Sequence, residues 1–290
     1  MLKRFRNVIT LLLVFSFTAG LLGDESKIVQ YFPNTLGSYW VYKDQDGNEL
    51  TRRAVEDEEV AEKTYHAFSY EPTVEDWTGY AYHLQPFLYQ IGKEKVSFLV
   101  GDEVKKTVKA RFAKEIKALI ETLKRIAPTE DPSSFDMDHD VKVEALDNFQ
   151  LLPIPVTFNE EWDAMRIKAT VTLSDPEGEG GGVAHFTISE TGNVLGKETV
   201  ETPAGTFEDC LKIEYKTKTE ILLSPPTETD PPGESITTLW LAPNVGIVKF
   251  HRKVEDMLLN SIPELPFKSA PTIKTLELTK YKIEPDDSEE

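Results

Sequence analysis

The sequence predicts an α+β fold of mostly antiparallel strands with one helix packed across the sheet. Three observations carry this. Short runs of β-branched and aromatic residues recur along the chain, Gly, Pro, Asn and Asp punctuate them, and a single stretch switches to helical periodicity.

The chain opens with a leader. Lys3, Arg4 and Arg6 precede an almost uninterrupted apolar run from Val8 to Leu22. That run is short of the roughly 20 apolar residues a spanning helix needs and suits a signal-peptide core. Thr18 and Gly20 sit at −3 and −1 for cleavage after Gly20, and cleavage after Gly23 would put Leu21 at −3. An uncleaved amino-terminal anchor is the alternative. The expected division is a leader over 1–23, one β-rich domain over 24–284, and a disordered acidic tail over 285–290.

The folded part begins with a strand over 31–42, rich in Tyr, Phe and Trp. Asp46-Gly47 supplies a tight turn into a second strand over 49–59. Candidate strands follow over 64–70, 80–91 and 95–100, as a meander. Then Val104, Val108, Phe112, Ile116, Leu119, Ile120, Leu123 and Ile126 recur every three or four residues with Lys and Glu between them. This predicts one amphipathic helix over about 103–127, capped by Asp102 and stopped by Pro128. A loop is expected over 129–140. Two subdomains divided near Thr129 are the alternative to a single domain. Strands then return over 165–173, 183–189, 193–202, 207–223, 235–241, 245–254 and 272–283. The glycine-rich stretch 178–182 serves as a flexible connector. The four prolines between Ser224 and Gly233 mark a hairpin loop that cannot pair as a strand.

Composition excludes several functions. The formal charge of −18 becomes −21 once the three leader cations are removed. Such a surface repels phosphate backbones and anionic headgroups, so nucleic acid is not an expected partner. The lone cysteine, Cys210, rules out an internal disulfide, and its alternating apolar surroundings read as those of a small buried hydrophobe. No cysteine follows the apolar core, so a lipid anchor is not expected.

The chemistry-bearing patterns are sparse. Acids at Asp136, Asp138, Asp140, Glu144 and Asp147 fall at positions 1, 3, 5, 9 and 12 of a calcium-loop spacing. Val141 stands where that loop needs Gly, the last acid is the short Asp, and Val141, Val143 and Ala145 alternate like a strand. A solvated acidic loop is expected instead. His66, His83, His139, His185 and His251 are scattered, with no zinc-ligand spacing. Nucleophile elbow, phosphate-cradling glycine loop and metalloprotease motif are all missing. No catalytic, cofactor-binding or metal residues are assigned, and no cofactor is expected. Two aromatic clusters, Tyr31–Tyr42 and Trp77–Tyr89, would either line an apolar cavity or sugar-stacking surface or pack as ordinary strand residues. Strand enrichment of aromatics supports the second.

Two stretches carry a family resemblance. Tyr31-Phe32-Pro33, Gly37, Trp40 and Tyr42 resemble the opening of certain bacterial exported proteins. The stretch Val200 to Tyr215, with Pro203-Ala204-Gly205-Thr206-Phe207 and Cys210-Leu211-Lys212-Ile213, goes with Trp240-Leu241-Ala242-Pro243 and Val245-Gly246-Ile247-Val248-Lys249. Together they resemble uncharacterised exported proteins related to the LolA/LolB-like lipoprotein-carrier superfamily. The resemblance implies a strongly curved sheet, a half-open barrel, with the helix in its concave face. The missing lipid-anchor cysteine and the long helix depart from it. The resulting expectation is a periplasmic or secreted, non-enzymatic protein holding a lipid, another hydrophobic ligand or a lipid-modified partner between helix and sheet. An envelope interaction protein is the alternative, and a secreted hydrolase is less supported.

Overall fold

A computed structural model describes residues 28–72, 83, 87–126, 137–174, 181–226, 228–229, 231–263 and 269–285. The expected leader, Pro128, Asp136, Trp77, Tyr80, Tyr82 and the last five residues lie outside them.

The strands are β1 (Tyr39–Asp44), β2 (Glu49–Val60), β3 (Lys63–Glu71), β4 (Leu88–Ile91), β5 (Lys95–Leu99), β6 (Asp138–Ala145), β7 (Asn148–Pro153), β8 (Glu161–Ser174), β9 (Gly181–Thr202), β10 (Gly205–Ser224), β11 (Ser235–Ala242), β12 (Gly246–Val254) and β13 (Thr272–Lys282). Helix α1 spans Gly101–Ile126, and a short α2 spans Met257–Ser261. The strands form one antiparallel sheet in the order β6-β8-β9-β10-β11-β12-β13-β1-β2-β3-β4-β5-β7. Pairing runs unbroken across it from β6 to β7.

The order forces curvature. β6 and β7 lie at opposite ends of the sheet, yet only Leu146 and Asp147 separate them in sequence. Three Cα–Cα steps reach about 11 Å at most, so the two ends must curl toward each other. They do not pair, and the sheet stays open. Side chains tie the gap instead: Trp162 on β8 donates its indole N–H to the Gln150 carbonyl on β7 at 3.0 Å, and Tyr215 on β10 donates to the Leu151 carbonyl at 2.7 Å.

Trp162 reaches β7 by lying across Gly192 of the neighbouring strand, where Trp162 and Gly192 are paired. A Cβ added at Gly192 would collide with the indole ring. Gly192→Ala is therefore expected to cost about 1–3 kcal/mol as an overpacking change, read as a lower urea midpoint. An unchanged midpoint would show that the indole moves aside freely.

The turns follow their local chemistry. Gly47 adopts φ +88° in the β1–β2 hairpin, where the Asp44 carboxylate accepts from the N–H groups of Asp46 and Asn48. Asn244 at +59° and Gly246 at +87° make the β11–β12 turn and place Trp240 opposite Lys249 and Leu241 opposite Ile247.

Several expectations need correcting. The first strand starts at Tyr39 rather than Tyr31, because Tyr31 and Phe32 follow a short turn of helix and are buried beneath the sheet without pairing. The expected loop ends early: Asp138–Asp140 are already strand, since β6 pairs residue for residue with β8 from Asp138↔Ser174 to Ala145↔Ile167. Tertiary pairing overrides the polar composition there. β7 lies where no strand is expected. The strands expected over 183–189 and 193–202 are one continuous β9. Of the run over 80–91, only Leu88–Ile91 is strand among the described residues. Asp102 lies inside the first turn of α1 rather than capping it. Its carboxylate pairs with Lys105 at 3.2 Å, where negative charge suits the helix dipole.

Helix α1 packs as its periodicity requires. Val104, Val108, Phe112 and Ile116 are buried, and the Phe112 ring lies 4.6 Å from that of Phe186 on β9. Burial fades along the helix, and Ile126 is 43% exposed.

Candidate functional site

Most of the sheet's hollow side is filled. Trp40, Tyr42, Phe68, Tyr89, Phe98, Phe149 and Tyr215 are all buried, and several stack on one another, as Phe68 and Tyr89 do with centroids 5.3 Å apart. Their polar atoms find backbone acceptors: Trp40 Nε1 reaches the Val245 carbonyl at 2.6 Å, and the Tyr42 and Tyr89 hydroxyls reach Ile247 and Phe32 at 2.9 Å each. Burial pushes the Tyr42 hydroxyl up to about 12 and raises Tyr89 and Tyr215 as well. Of the described members of the aromatic clusters, Tyr31, Phe32, Trp40, Tyr42 and Tyr89 are core, as ordinary packing predicts, and Tyr39 and Phe87 are half-buried. Cys210 belongs to the same core, its thiol pushed up to about 11 by burial.

A largely apolar groove lies beside this core. Where the far ends of β8, β9 and β10 pass under the second half of α1, a groove of about 310 Å³ remains. Its shape comes from the strand register. Val171, Ala184 and Leu223 form one row across the three strands, and Ala169, Phe186 and Ile221 form the next. The middle strand carries Gly182 and Ala184, while its neighbours carry Leu173, Val171 and Leu223. Small residues flanked by larger ones make a trough. Ile116 and Leu119 of α1 roof it, and Leu258 and Ile262, in and after α2, close one side. Ser224, Glu228 and Thr229 add polar groups to the lining, with Ser224 and Glu228 exposed and Glu228 the charged one among the described residues.

A buried ion pair sets the roof. Arg111 donates from Nε to Glu115 Oε1 at 2.8 Å and from a terminal nitrogen to the Glu255 carbonyl at 2.6 Å. Glu115 Oε2 accepts the Leu258 N–H at 2.8 Å. This couples α1 to α2 beside the groove. Burial outweighs the arginine and raises the Glu115 carboxyl above its usual range.

The other residues singled out by sequence do not converge. Asp138, Asp140 and Glu144 lie at alternate positions of the extended β6, a line of carboxylates that cannot wrap a cation, and Asp136 lies outside the described residues. Among the described residues, no group of three or more His, Cys, Asp or Glu could hold a metal ion. His66 sits by Asp57 and Asn34, His185 by Thr170 and His251 by Thr275. His83 meets Glu190, Nε2 to Oε1 at 2.6 Å, with the two side chains 1% and 3% exposed. Trp240 is half-buried on the outer face between Lys212 and Lys249, its indole N–H 2.5 Å from Glu198. From sequence, Ile221, Leu223 and Val171 read as strand because they alternate like any half-buried run, Gly182 falls in the expected connector, which the structure shows as the start of β9, and Ile116 and Leu119 fall in the expected helix. The usable signal was the pair of small residues at Gly182 and Ala184.

Residues 114–253, just under half of the chain, match the model of the DUF3108-like family. No curated protein matches the chain in sequence. Two solved structures align with it, a candidate lipoprotein from Parabacteroides distasonis ATCC 8503 and a candidate exported protein with a YmcC-like fold from Bacteroides fragilis NCTC 9343. The first is 16% identical, covering 87% of this chain and 98% of its own at a TM-score of 0.38. The second is 14% identical, with the same coverages and a TM-score of 0.36. Among the described residues, no helix is long and apolar enough to cross a membrane.

Proposed function

We propose that this is an exported, non-enzymatic envelope protein that shelters a hydrophobic ligand in the groove between α1 and β8–β10. The observation that carries this is the trough itself, a largely apolar space beside the packed core. The cationic, apolar leader and the acidic charge support export to the periplasm or outside the cell. The absence of a cysteine after that leader argues against a lipid anchor. A relation to lipoprotein carriers fits a curved sheet with a helix on its hollow side, and a lipid-modified partner could supply the hydrophobic chain. A hydrolase is disfavoured, because among the described residues the groove lining offers one carboxylate and no histidine. Each methylene drawn from water contributes about 0.8 kcal/mol, so a few carbons beyond the cost of association suffice for binding.

The test is native mass spectrometry of the protein purified from cells, before and after delipidation. A bound lipid-like mass that disappears on delipidation is expected. Ala184→Trp, which fills the trough at a partly exposed position, is expected to abolish the adduct while leaving the thermal midpoint within a few degrees. Protein that emerges empty, and that takes up no alkyl probe, would remove the reading and leave an envelope interaction protein in its place.

A further inference from the structure

We infer that the groove takes one alkyl chain of about a dozen carbons carrying a positively charged head, an assignment that rests on the ligand-binding reading above. Volume sets the chain. A cavity of about 150 Å³ accommodates benzene, so the 310 Å³ here corresponds to roughly twice six carbons, enough for one chain and too little for a diacyl lipid. Rows of Val171, Ala184 and Leu223 and of Phe186 and Ile221 run across the trough and offer contact along a chain rather than a pocket for a ring.

Charge sets the head. Among the described residues of the lining, Glu228 is the ionisable side chain and is exposed, and Ser224 and Thr229 add neutral polar groups. Among the described residues, no lysine or arginine lines the groove. Lys124 and Arg125 close α1 but are outside the lining, and both have interactions of their own. Arg111 is turned to Glu115 and the Glu255 carbonyl. A carboxylate or phosphate head would therefore meet a like charge at Glu228, within a chain whose net charge is strongly negative. A cationic head meets complementary charge.

Calorimetric titration below the critical micelle concentration tests this with three probes that share a twelve-carbon tail: dodecyltrimethylammonium, dodecyl maltoside and dodecanoate. The ammonium is expected to bind about tenfold tighter than dodecanoate at low salt, with maltoside between, and the spread should narrow as salt rises. Glu228→Lys is expected to reverse the order without shifting the thermal midpoint, since the residue is exposed. In an alkyltrimethylammonium series, affinity should rise to about twelve carbons and then level off. Equal affinity for all three heads, or an order that Glu228→Lys leaves unchanged, overturns the head assignment while leaving the groove reading intact. Affinity still rising at sixteen carbons overturns the chain assignment. If no probe binds and Ala184→Trp changes nothing, it is the groove reading itself that fails.

Discussion

Phe112→Ala is expected to lower stability by about 3–5 kcal/mol, the range for deleting a buried aromatic side chain. Phe112 is fully buried and meets Phe186 with ring centroids 4.6 Å apart, at the point where α1 touches the middle strand. Its loss leaves a void under the helix that neither Val108 nor Ile116 can fill without moving a turn. Urea unfolding followed by circular dichroism measures the effect. Ile126→Ala, at the exposed end of the same helix, is expected to change stability by no more than about 0.5 kcal/mol. A loss below about 1 kcal/mol for Phe112→Ala would mean that the helix is not docked on the sheet, and the roof of the groove would go with it.

The second large effect lies at His83 and Glu190. Glu190→Ala is expected to cost about 1–3 kcal/mol, because it leaves an imidazole buried among Phe149 and Tyr215 without its carboxylate partner. The pair also makes stability depend on pH. Burial holds His83 below its ordinary value of 6.5 despite the neighbouring carboxylate, so the unfolded chain takes up a proton more readily than the folded one. Stability is therefore complete above pH 6.5 and falls as the pH drops below it, by up to about 1.4 kcal/mol per pH unit until the folded imidazole also titrates. His251 is shifted in the same direction, so His83→Gln should reduce the acid slope without removing it. Glu115 acts oppositely: its raised carboxyl takes up a proton in the folded state first, which adds stability as the pH falls toward 4.5. Urea midpoints from pH 5 to 8 for the wild type and His83→Gln would decide the matter. Parallel curves would place the acid sensitivity elsewhere.

Local chemistry made much of this fold legible and left the rest hidden for physical reasons. The three-and-four spacing of Val104, Val108, Phe112 and Ile116 announces α1 because helix burial is periodic along the chain. Asp46-Gly47 and Asn244-Val245-Gly246 announce their turns because positive φ demands particular residues. β6 was obscured because half its residues are charged, and only its partner β8 makes it a strand. Tyr31 and Phe32 look like strand residues, since aromatic character reports burial and not backbone pairing. The pairing of His83 with Glu190 spans 107 positions, and no local pattern could join them. The groove was expected in outline, between helix and sheet, but its place depended on register. Gly182 and Ala184 make a trough only because Val171 and Leu223 flank them.

Strand β13 sits between β12 and β1, joining the chain's last strand to its first. The Thr279 hydroxyl and the Val41 carbonyl that it meets at 3.0 Å are 238 positions apart. Without this segment, β1 and β12 would both become raw borders, open to pairing with other chains. Synthesis that has reached only residue 270 has thus delivered two unjoined half-sheets, and assembly must wait for β13. So large a ring of contacts places the protein among slow folders, for which the interval between synthesis and closure is the period of greatest exposure.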